Sequence, residues 1–472
     1  MTSALTQRSN QTEQALRQLN RVLPDGAIVT DREILEAYGG DESEADPVTP
    51  EALIRVQRPE DAVAIMEAAN RHRVPVTPRG AGTGRTGGAV PVDKGIVLTF
   101  EQCAGIKDIS RDDLVAVVEP GLILAQLHEA VEAEGLFYPP DPNSLASCTL
   151  GGNAAENAAG PRTLRYGPTR DYVLGMEVVT ATGQRLRVGK QTHKGVTGYD
   201  LTSLLVGSEG TLALTTELTL KLIPKPEAIV TLMVFLPDLT TTGQAVGAAL
   251  GQGFLPRCIE MMDDVTLDLL RPTTGLVIPS QAQTMLIVEL DGDSRMLEDH
   301  LERYGNVMDG AGATEILVAR HGGEREKLWA ARRELSYAMR RSARFKLAED
   351  VVVPRSRIPD LLGICRTISE TEQVHMPSYG HAGDGNIHVN FLWSDEQEKP
   401  QVNRAVERLF RAVVDLGGTL SGEHGIGLLK APYLSLELSD EQIALQKQLK
   451  NLFDPHSVLN PGKIFPRGHR AC

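Results

Sequence analysis

The glycine-rich stretch Arg79-Gly-Ala-Gly-Thr-Gly-Arg-Thr-Gly-Gly88 decides between two folds. It contains the spacing Gly-x-Gly-x-x-Gly at Gly82, Gly84 and Gly87, which doubly wound dinucleotide-binding domains use where a strand turns into a helix. No such helix follows here, because Ala89-Val-Pro-Val-Asp-Lys94 is short and interrupted by proline, and a further strand comes next. The stretch is therefore interpreted as a loop between strands, whose backbone amides approach phosphate groups closely because glycine lacks Cβ.

Two further segments of small residues occur in the same half of the chain. Thr149–Gly160 is rich in glycine, alanine and asparagine, and Val206-Gly-Ser-Glu-Gly-Thr211 is a shorter segment of the same kind. Small side chains at these positions allow a planar or charged ligand to lie close to the backbone. Pro224-Lys-Pro226 marks a boundary, after which strands and helices alternate again.

Ser378–Phe391, together with Ser421–Gly425, concentrates polar residues that are typical of metal and acid–base sites. Asp384-Gly-Asn386 is a tight-turn signal, and the alternation that follows it is typical of a half-buried strand. His388 and Asn390 therefore share one face of this strand. His381 precedes the turn, so the reversal of the chain is expected to bring its imidazole beside His388.

Glu423 and His424 follow about thirty residues later in a second glycine-rich turn. Two histidines and one carboxylate with an open position suit a catalytic divalent metal, so we interpret His381, His388 and Glu423 as metal ligands. His424 is then available as a general base, since imidazole exchanges protons near neutral pH. The alternative for each histidine is a hydrogen-bonded structural role.

A basic helix precedes this region of the chain. Arg332, Ser336 and Arg340 fall four residues apart within Trp329–Arg344 and therefore share a face. Most such runs are solvated surfaces, but a cluster of cations before the metal motif also suits an acidic substrate.

Composition narrows the class of protein. A chain of 472 residues is expected to form two or three domains, and its net charge of −14 argues against nucleic acid and anionic membrane as main partners. No apolar run is long enough to predict a membrane span. The five scattered cysteines fit reduced thiols in a reducing compartment. The expected location is the cytoplasm, or the mitochondrial matrix if the source is eukaryotic.

Six motifs in order carry a resemblance to a known family. They are Pro78-Arg-Gly-Ala-Gly-Thr-Gly84, Gly151-Gly-Asn-Ala-Ala-Glu-Asn157, Gly207-Ser-Glu-Gly-Thr211, Gly380-His-Ala-Gly-Asp-Gly-Asn-Ile-His388, Gly422-Glu-His-Gly425 and Asn460-Pro-Gly-Lys463. Over nearly its whole length the chain resembles the FAD-linked D-2-hydroxy-acid dehydrogenases of the vanillyl-alcohol oxidase superfamily. This group includes D-lactate dehydrogenases, the flavin subunit of glycolate oxidase and D-2-hydroxyglutarate dehydrogenases.

The resemblance implies an α+β fold. A two-subdomain FAD-binding domain of the vanillyl-alcohol oxidase type is expected at residues 1–225. An α+β cap domain with an antiparallel sheet, carrying the metal site, is expected at 226–425. Residues 426–472 are expected to return to the flavin domain.

The resemblance also implies a role for individual positions. His424 matches the catalytic base of the family. His381, His388 and Glu423 match the ligands of a divalent metal, which is usually zinc in characterised relatives. Arg332, Ser336, Lys346 and Asn390 match positions that bind the substrate. The cofactor-binding positions are Arg79, Gly80, Gly82, Thr83, Gly84, Gly87, Gly88, Thr149, Gly151, Gly152, Asn157, Gly160, Glu209 and Asn460. Because the glycine loop contains no histidine, the FAD is expected to be noncovalent.

The implied activity is oxidation of a small D-2-hydroxy acid to the 2-oxo acid, with D-lactate or glycolate favoured. Electrons are expected to pass through FAD to an electron-transfer flavoprotein, a quinone or a cytochrome, and dimers are common among relatives. D-2-hydroxyglutarate or another dicarboxylate is the alternative substrate, and it would need one more cationic contact for its distal carboxylate. Lys346, Arg333 and Arg340 are the candidates for this contact, although the spacing between Arg332 and Lys346 differs from that of the hydroxyglutarate enzymes. The alternative of another class is a noncatalytic electron-transfer subunit, which would not need the metal motif.

Overall fold

The computed structural model describes residues 2–466, which divide into two compact units. The first unit combines residues 2–159, Pro168–Lys225 and 423–466, and the second combines Gly160–Gly167 with Pro226–Gly422. The chain therefore leaves the first unit twice and returns to it each time.

The secondary structure mixes short strands with helices. The strands are β1 (Ile28–Val29), β2 (Ala52–Arg55), β3 (Val76–Arg79), β4 (Ile96–Thr99), β5 (Ile106–Ser110), β6 (Val115–Val118), β7 (Leu136–Phe137), β8 (Val173–Thr180), β9 (Arg185–Gly189), β10 (Ala213–Lys221), β11 (Ile223–Pro224), β12 (Ala228–Leu236), β13 (Cys258–Met262), β14 (Thr284–Gly292), β15 (Glu315–Ala319), β16 (Phe345–Val352), β17 (Ser378–His381) and β18 (Asn386–Trp393). The helices are α1 (Thr2–Leu19), α2 (Arg32–Ala37), α3 (Pro59–His72), α4 (Leu124–Ala133), α5 (Leu150–Glu156), α6 (Thr163–Tyr166), α7 (Leu201–Leu205), α8 (Leu239–Gly251), α9 (Asp264–Leu270), α10 (Ser294–Gly310), α11 (Gly322–Ser342), α12 (Ile358–Glu372), α13 (Lys399–Asp415), α14 (Leu434–Glu437) and α15 (Asp440–Phe453).

The first sheet of the first unit has the order β1-β2-β4-β3, with β2, β4 and β3 parallel. Helix α3 begins with proline in its first turn and buries Ile65 and Met66 in the core beneath this sheet. The C-terminal segment joins the edge of the sheet, where the Val76 amide donates to Val458 O at 2.7 Å and the Asn460 amide donates to Val76 O at 2.7 Å. The end of the chain is thereby fixed beside β3, immediately before the glycine-rich loop.

The second sheet of the first unit is antiparallel, with the order β5-β6-β10-β8-β9. All four residues of β6 are buried, which matches its continuous apolar sequence. The first unit therefore contains two separate sheets, one largely parallel and one antiparallel.

The second unit is built on a seven-stranded sheet with the order β15-β12-β14-β13-β17-β18-β16. Every neighbouring pair in it is antiparallel. Helices α9 and α11 pack on one face, in a core that includes Met262, Ile287, Leu328 and Leu335. The predicted α+β class with an antiparallel sheet is confirmed.

None of the helices between residues 2 and 466 combines the length and the apolar content that crossing a bilayer requires. Four cysteines, Cys103, Cys148, Cys258 and Cys365, are buried. Burial raises the pKa of the Cys103 thiol to about 11. Cys472 lies outside the described residues.

Candidate functional site

The first unit contains a cavity of about 980 Å³. This volume lies at the upper end of the ~300–1,000 Å³ that small-molecule and cofactor sites occupy. Eleven of the fourteen positions predicted to bind the cofactor line it, namely Arg79, Gly80, Gly82, Thr83, Gly84, Gly88, Thr149, Gly151, Gly152, Glu209 and Asn460. Segments that are far apart in the sequence thus form one wall.

The first two glycine-rich segments lie against each other at Gly80 and Thr149. A Cβ at Gly80 would lie 2.5 Å from Thr149 Oγ1, closer than real Cβ contacts allow. Thr149 also caps α5 by accepting a hydrogen bond from the Gly152 amide at 3.3 Å. Glycine at position 80 is therefore needed for the close approach of the two loops.

Glu423 and His424 line the same cavity. Both side chains are largely buried, and His424 Nε2 lies 3.8 Å from Glu423 Oε1. The hydroxyl of Thr86, at the end of the glycine-rich loop, donates to the carbonyl of His424 at 3.2 Å. The predicted base therefore faces the same space as the predicted cofactor-binding segments.

Three of the predicted cofactor-binding positions do not line this cavity. Gly87 has φ +82°, and a Cβ there would lie 2.9 Å from the side chain of Leu428. Asn157 ends α5 in the left-handed region, and its Oδ1 accepts from the Arg170 amide at 2.9 Å. Gly160 belongs to the second unit. The geometry gives Gly87 and Asn157 roles in shaping the loops.

Glu156 also lines the cavity and was not among the predicted site residues, whereas its neighbour Glu209 was. A Cβ at Gly425 would lie 2.6 Å from Glu156 Oε2 and 3.0 Å from Glu209 Oε1, so both side chains converge there. Glu209 accepts hydrogen bonds from the amides of Ile426 and Gly427 at 2.8 and 2.7 Å. Burial and the neighbouring charge of Glu209 raise the pKa of Glu156 well above its ordinary value. Burial also raises the pKa of Glu209 above its ordinary value.

In the second unit, His381 and His388 are brought together as their spacing predicts. His381 ends β17, the Asp384 amide donates to His381 O at 3.2 Å in the turn, and β18 returns beside β17. The two imidazole rings meet edge to face, with their centroids 5.3 Å apart. Glu423, the third predicted ligand, belongs to the first unit.

Glu260 was also missed, although it is fully buried on the central strand β13. Its Oε1 contacts His381 Nδ1, and its Oε2 accepts from Arg332 Nε at 3.2 Å. Burial alone would raise the pKa of Glu260, but His381 and Arg332 outweigh it and lower this pKa to about 2. Glu260 is therefore ionised at neutral pH, and a different partner contacts each of its oxygens.

The predicted substrate-binding residues also lie in the second unit. The guanidinium of Arg332 lies over the ring of Tyr379, with Cζ 4.3 Å from the centroid. Asn390 is fully buried, and its Nδ2 donates to Pro377 O and to His388 O at 3.2 Å each. Lys346 is half-buried on the edge strand β16. The side chain of Ser336 lies outside the described part of the structure.

Two family models match the chain and together span most of it. The model for an FAD binding domain matches residues 50–189. The model for the C-terminal domain of FAD linked oxidases matches residues 225–464.

Among characterised proteins, the glycolate oxidase subunit GlcD of Bacillus subtilis (strain 168) is 38% identical over 423 residues, which are 89% of this chain and 90% of that protein. A D-lactate dehydrogenase of Anaerostipes hadrus is 34% identical over 464 residues, covering 96% of this chain and 97% of that enzyme. Both similarities extend over nearly the entire length of the proteins compared.

Among solved structures, p-cresol methylhydroxylase with substrate bound superposes with a TM-score of 0.81, at 14% identity and 97% coverage of both chains. At this identity the likeness concerns the fold alone. It confirms the expected architecture of the vanillyl-alcohol oxidase type.

Proposed function

Because this chain belongs to the FAD-linked oxidases, we propose that it is an FAD-dependent dehydrogenase of small D-2-hydroxy acids. D-Lactate and glycolate are the favoured substrates, and the product is the corresponding 2-oxo acid. The observation that carries the proposal is the position of His424, which lines the same cavity as the glycine-rich segments of the FAD binding domain.

His424 is the proposed general base. FAD, when bound in this cavity, would accept the hydride from C2 of the substrate. Removal of the hydroxyl proton must accompany this transfer, and a ring nitrogen of His424 would take it. The loop 79–88 contains no histidine, which supports a noncovalent cofactor that is released when the protein is denatured.

A divalent metal, with zinc proposed, fits the donor set of this chain. Two neutral imidazoles and one carboxylate are a ligand set that catalytic zinc uses. His381, His388 and Glu423 would hold the ion, which would supply Lewis-acid polarisation of the substrate's hydroxyl and carboxylate. The contact of Glu260 with His381 Nδ1 supports this role, because ligand histidines commonly engage their other nitrogen with a carboxylate.

Arg332 is the proposed anchor for the substrate carboxylate. Its Nε is held by Glu260 and its plane lies over Tyr379, so its orientation is restricted before any ligand arrives. A guanidinium fixed in this way binds a carboxylate with two parallel hydrogen bonds. Arg332 would contribute by orienting the substrate, so that C2 is held in a geometry that favours hydride transfer. Asn390, and Ser336 one helical turn beyond Arg332, are proposed as further polar contacts.

D-2-Hydroxyglutarate is the second candidate substrate, and the register of β16 and β18 favours it. Lys346 pairs with Leu392, Ala348 with Asn390, and Asp350 with His388. Directly opposed residues of an antiparallel pair share a face, so Lys346 lies on the same face of the sheet as His388 and Asn390. A cation there would suit the distal carboxylate of a dicarboxylic acid.

The remaining proposals rest on the resemblance to the family. An electron-transfer flavoprotein, a quinone or a cytochrome is the proposed acceptor of electrons. A homodimer is the proposed assembly, and the cytoplasm is the proposed compartment.

Anaerobic bleaching of the flavin absorption band tests the proposed function. The purified protein, loaded with FAD and zinc, is mixed with D-lactate, L-lactate, glycolate, D-malate and D-2-hydroxyglutarate in turn. Rapid bleaching by a D-acid or glycolate, with no bleaching by L-lactate, is the expected result. If none of these acids bleaches the flavin, the proposed activity is wrong and a noncatalytic electron-transfer subunit is favoured.

A further inference from the structure

Glu260 occupies a costly position for a carboxylate. It lies in the middle of β13, between β14 and β17, where its strand neighbours Ile259 and Met261 are also buried. A charge in such a place is tolerated only when it is paired and hydrogen-bonded. The partners of Glu260 therefore indicate why it is there.

The two partners of Glu260 have different proposed roles, one in binding the metal and the other in binding the substrate. His381, directly opposite Glu260 in the pairing of β13 with β17, is a proposed metal ligand. Arg332, from α11, is the proposed anchor of the substrate carboxylate. One carboxylate group therefore contacts both residues, one through each oxygen.

Each contact fixes a specific property. A carboxylate that faces His381 Nδ1 stabilises the tautomer with the proton on Nδ1, so the lone pair is on Nε2, as metal binding through Nε2 requires. A carboxylate that faces Arg332 Nε, with Tyr379 beneath the guanidinium, leaves the Nη1 and Nη2 edge to bind a carboxylate bidentately.

We propose that Glu260 is a positioning residue that sets the metal-binding histidine and the carboxylate-binding arginine together. This inference rests on the proposed function and deepens it. Through this one buried side chain, the affinity for the metal and the binding of the substrate's C1 carboxylate are coupled. A change at Glu260 should therefore weaken the binding of both ligands.

The first test compares Glu260→Gln with the wild-type FAD protein. A glutamine keeps the size of the side chain but has one oxygen that accepts and one amide group that donates. It therefore cannot accept from His381 Nδ1 and Arg332 Nε through separate oxygens. Zinc affinity, measured by competition with a chromophoric chelator, should fall about 10- to 100-fold. The substrate concentration for half-maximal flavin bleaching should rise at saturating zinc, while the FAD content stays unchanged.

Glu289→Gln is the matched control. Glu289 is a buried carboxylate on the neighbouring strand β14, and its partners Arg325 and Trp329 are not proposed ligands of metal or substrate. This variant should lose stability while keeping the zinc affinity of the wild type. Equal losses of zinc affinity in both variants would indicate a general effect of strand disruption and would overturn the proposal.

A measurement without a variant at position 260 keeps the proposal testable if Glu260→Gln fails to fold. Nitrogen-15 spectra of the zinc-loaded protein, with the His381 signal assigned by its loss in His381→Gln, report the tautomer. A proton on Nδ1 is expected, and a proton on Nε2 overturns the inference. If the wild-type protein does not bind zinc and its flavin is not bleached by any substrate, the proposed function is wrong as well. If the wild type does both and Glu260→Gln matches it, only the inference about Glu260 fails.

Discussion

Asp350 lies directly opposite His388 in the antiparallel pair of β16 and β18, and its carboxylate also accepts the Gly422 amide at 2.9 Å. The Ser421 hydroxyl approaches both oxygens of the same carboxylate at 3.2 Å. Asp350 is fully buried. It therefore fixes the chain immediately before Glu423 and His424.

Asp350→Ala should destabilise the protein by about 1–3 kcal/mol, because a buried amide and a hydroxyl lose their acceptor. Flavin reduction should slow as well, since the segment that leads into Glu423 and His424 is no longer fixed. Urea unfolding followed by circular dichroism and anaerobic stopped-flow bleaching measure the two effects. Ser421→Ala, which removes one of the donors, should have the smaller effect on both. Equal behaviour of the two variants would contradict the role of the carboxylate.

His424→Ala should lower the rate of flavin reduction by about 10²–10⁴, the usual contribution of a general base. The FAD content should stay at the wild-type level, because the glycine-rich segments that line the cavity are intact. His193→Ala provides the control, since His193 is exposed and its Nε2 lies 2.9 Å from the carbonyl oxygen of Asp113, outside the residues that line the cavity. A near wild-type rate in His424→Ala would exclude His424 as the base.

Removal of the metal should abolish bleaching without removing FAD. Dialysis against a chelator is expected to leave the flavin spectrum in place and to stop reduction by substrate, and added zinc should restore it. His381→Ala and His388→Ala should resist this restoration at zinc concentrations that saturate the wild type. His321→Ala is the matched control, because His321 is exposed and its side chain makes no capping hydrogen bond to α11. Full activity after complete removal of metal would refute the metal proposal.

Lys346→Met separates the two candidate substrates. It should lower kcat/KM for D-2-hydroxyglutarate by about 10- to 100-fold, the equivalent of one lost hydrogen bond to a charged group, and leave D-lactate and glycolate unaffected. Lys327→Met, a change of an exposed lysine on α11, controls for the loss of charge. An equal loss of kcat/KM with all three acids would mean that Lys346 supports the sheet and does not bind a distal carboxylate.

Local periodicity was enough to predict how β17, the turn and β18 are arranged. The alternation in β18 correctly placed His388 and Asn390 on one face, and the Asp384-Gly-Asn386 turn correctly returned the chain beside His381. The expectation of a half-buried strand was wrong, because β18 lies inside the seven-stranded sheet and is buried on both faces. These predictions depend on neighbours within about ten residues. The geometry of a strand and a turn determines such relationships directly.

Contacts between distant segments could not be predicted in the same way. Glu260 lies 121 residues before His381, on a short strand without polar alternation, so no local pattern connects the two. Helix α11 begins at Gly322, seven residues before the predicted start at Trp329, although glycine disfavours helices. Packing explains this extension, because Arg325 in the added turn donates to Glu289 at 2.9 Å. Tertiary contacts here outweigh local propensity.

Glu289 provides a test of the electrostatics of the second unit. Its carboxylate is buried and accepts from Arg325 Nη2, Trp329 Nε1 and Thr231 Oγ1, each at 2.9 Å. Burial alone would raise the pKa of Glu289, but Arg257 and Arg325 outweigh it and lower this pKa below its ordinary value. At neutral pH, Glu289→Gln should therefore cost roughly 3–5 kcal/mol, the usual effect of breaking a buried ion pair.

The pH dependence of this loss follows from the direction of the shift. A carboxyl whose pKa is lowered on folding stabilises the native protein fully above its unfolded pKa of about 4.3, and this contribution disappears as the pH falls through the lower native value. The difference in unfolding free energy between wild type and Glu289→Gln should thus be largest near pH 7 and shrink below pH ~4. Urea unfolding at a series of pH values measures it. A difference that stays constant down to pH ~3 would show that the variant acts through packing and not through the charge of Glu289.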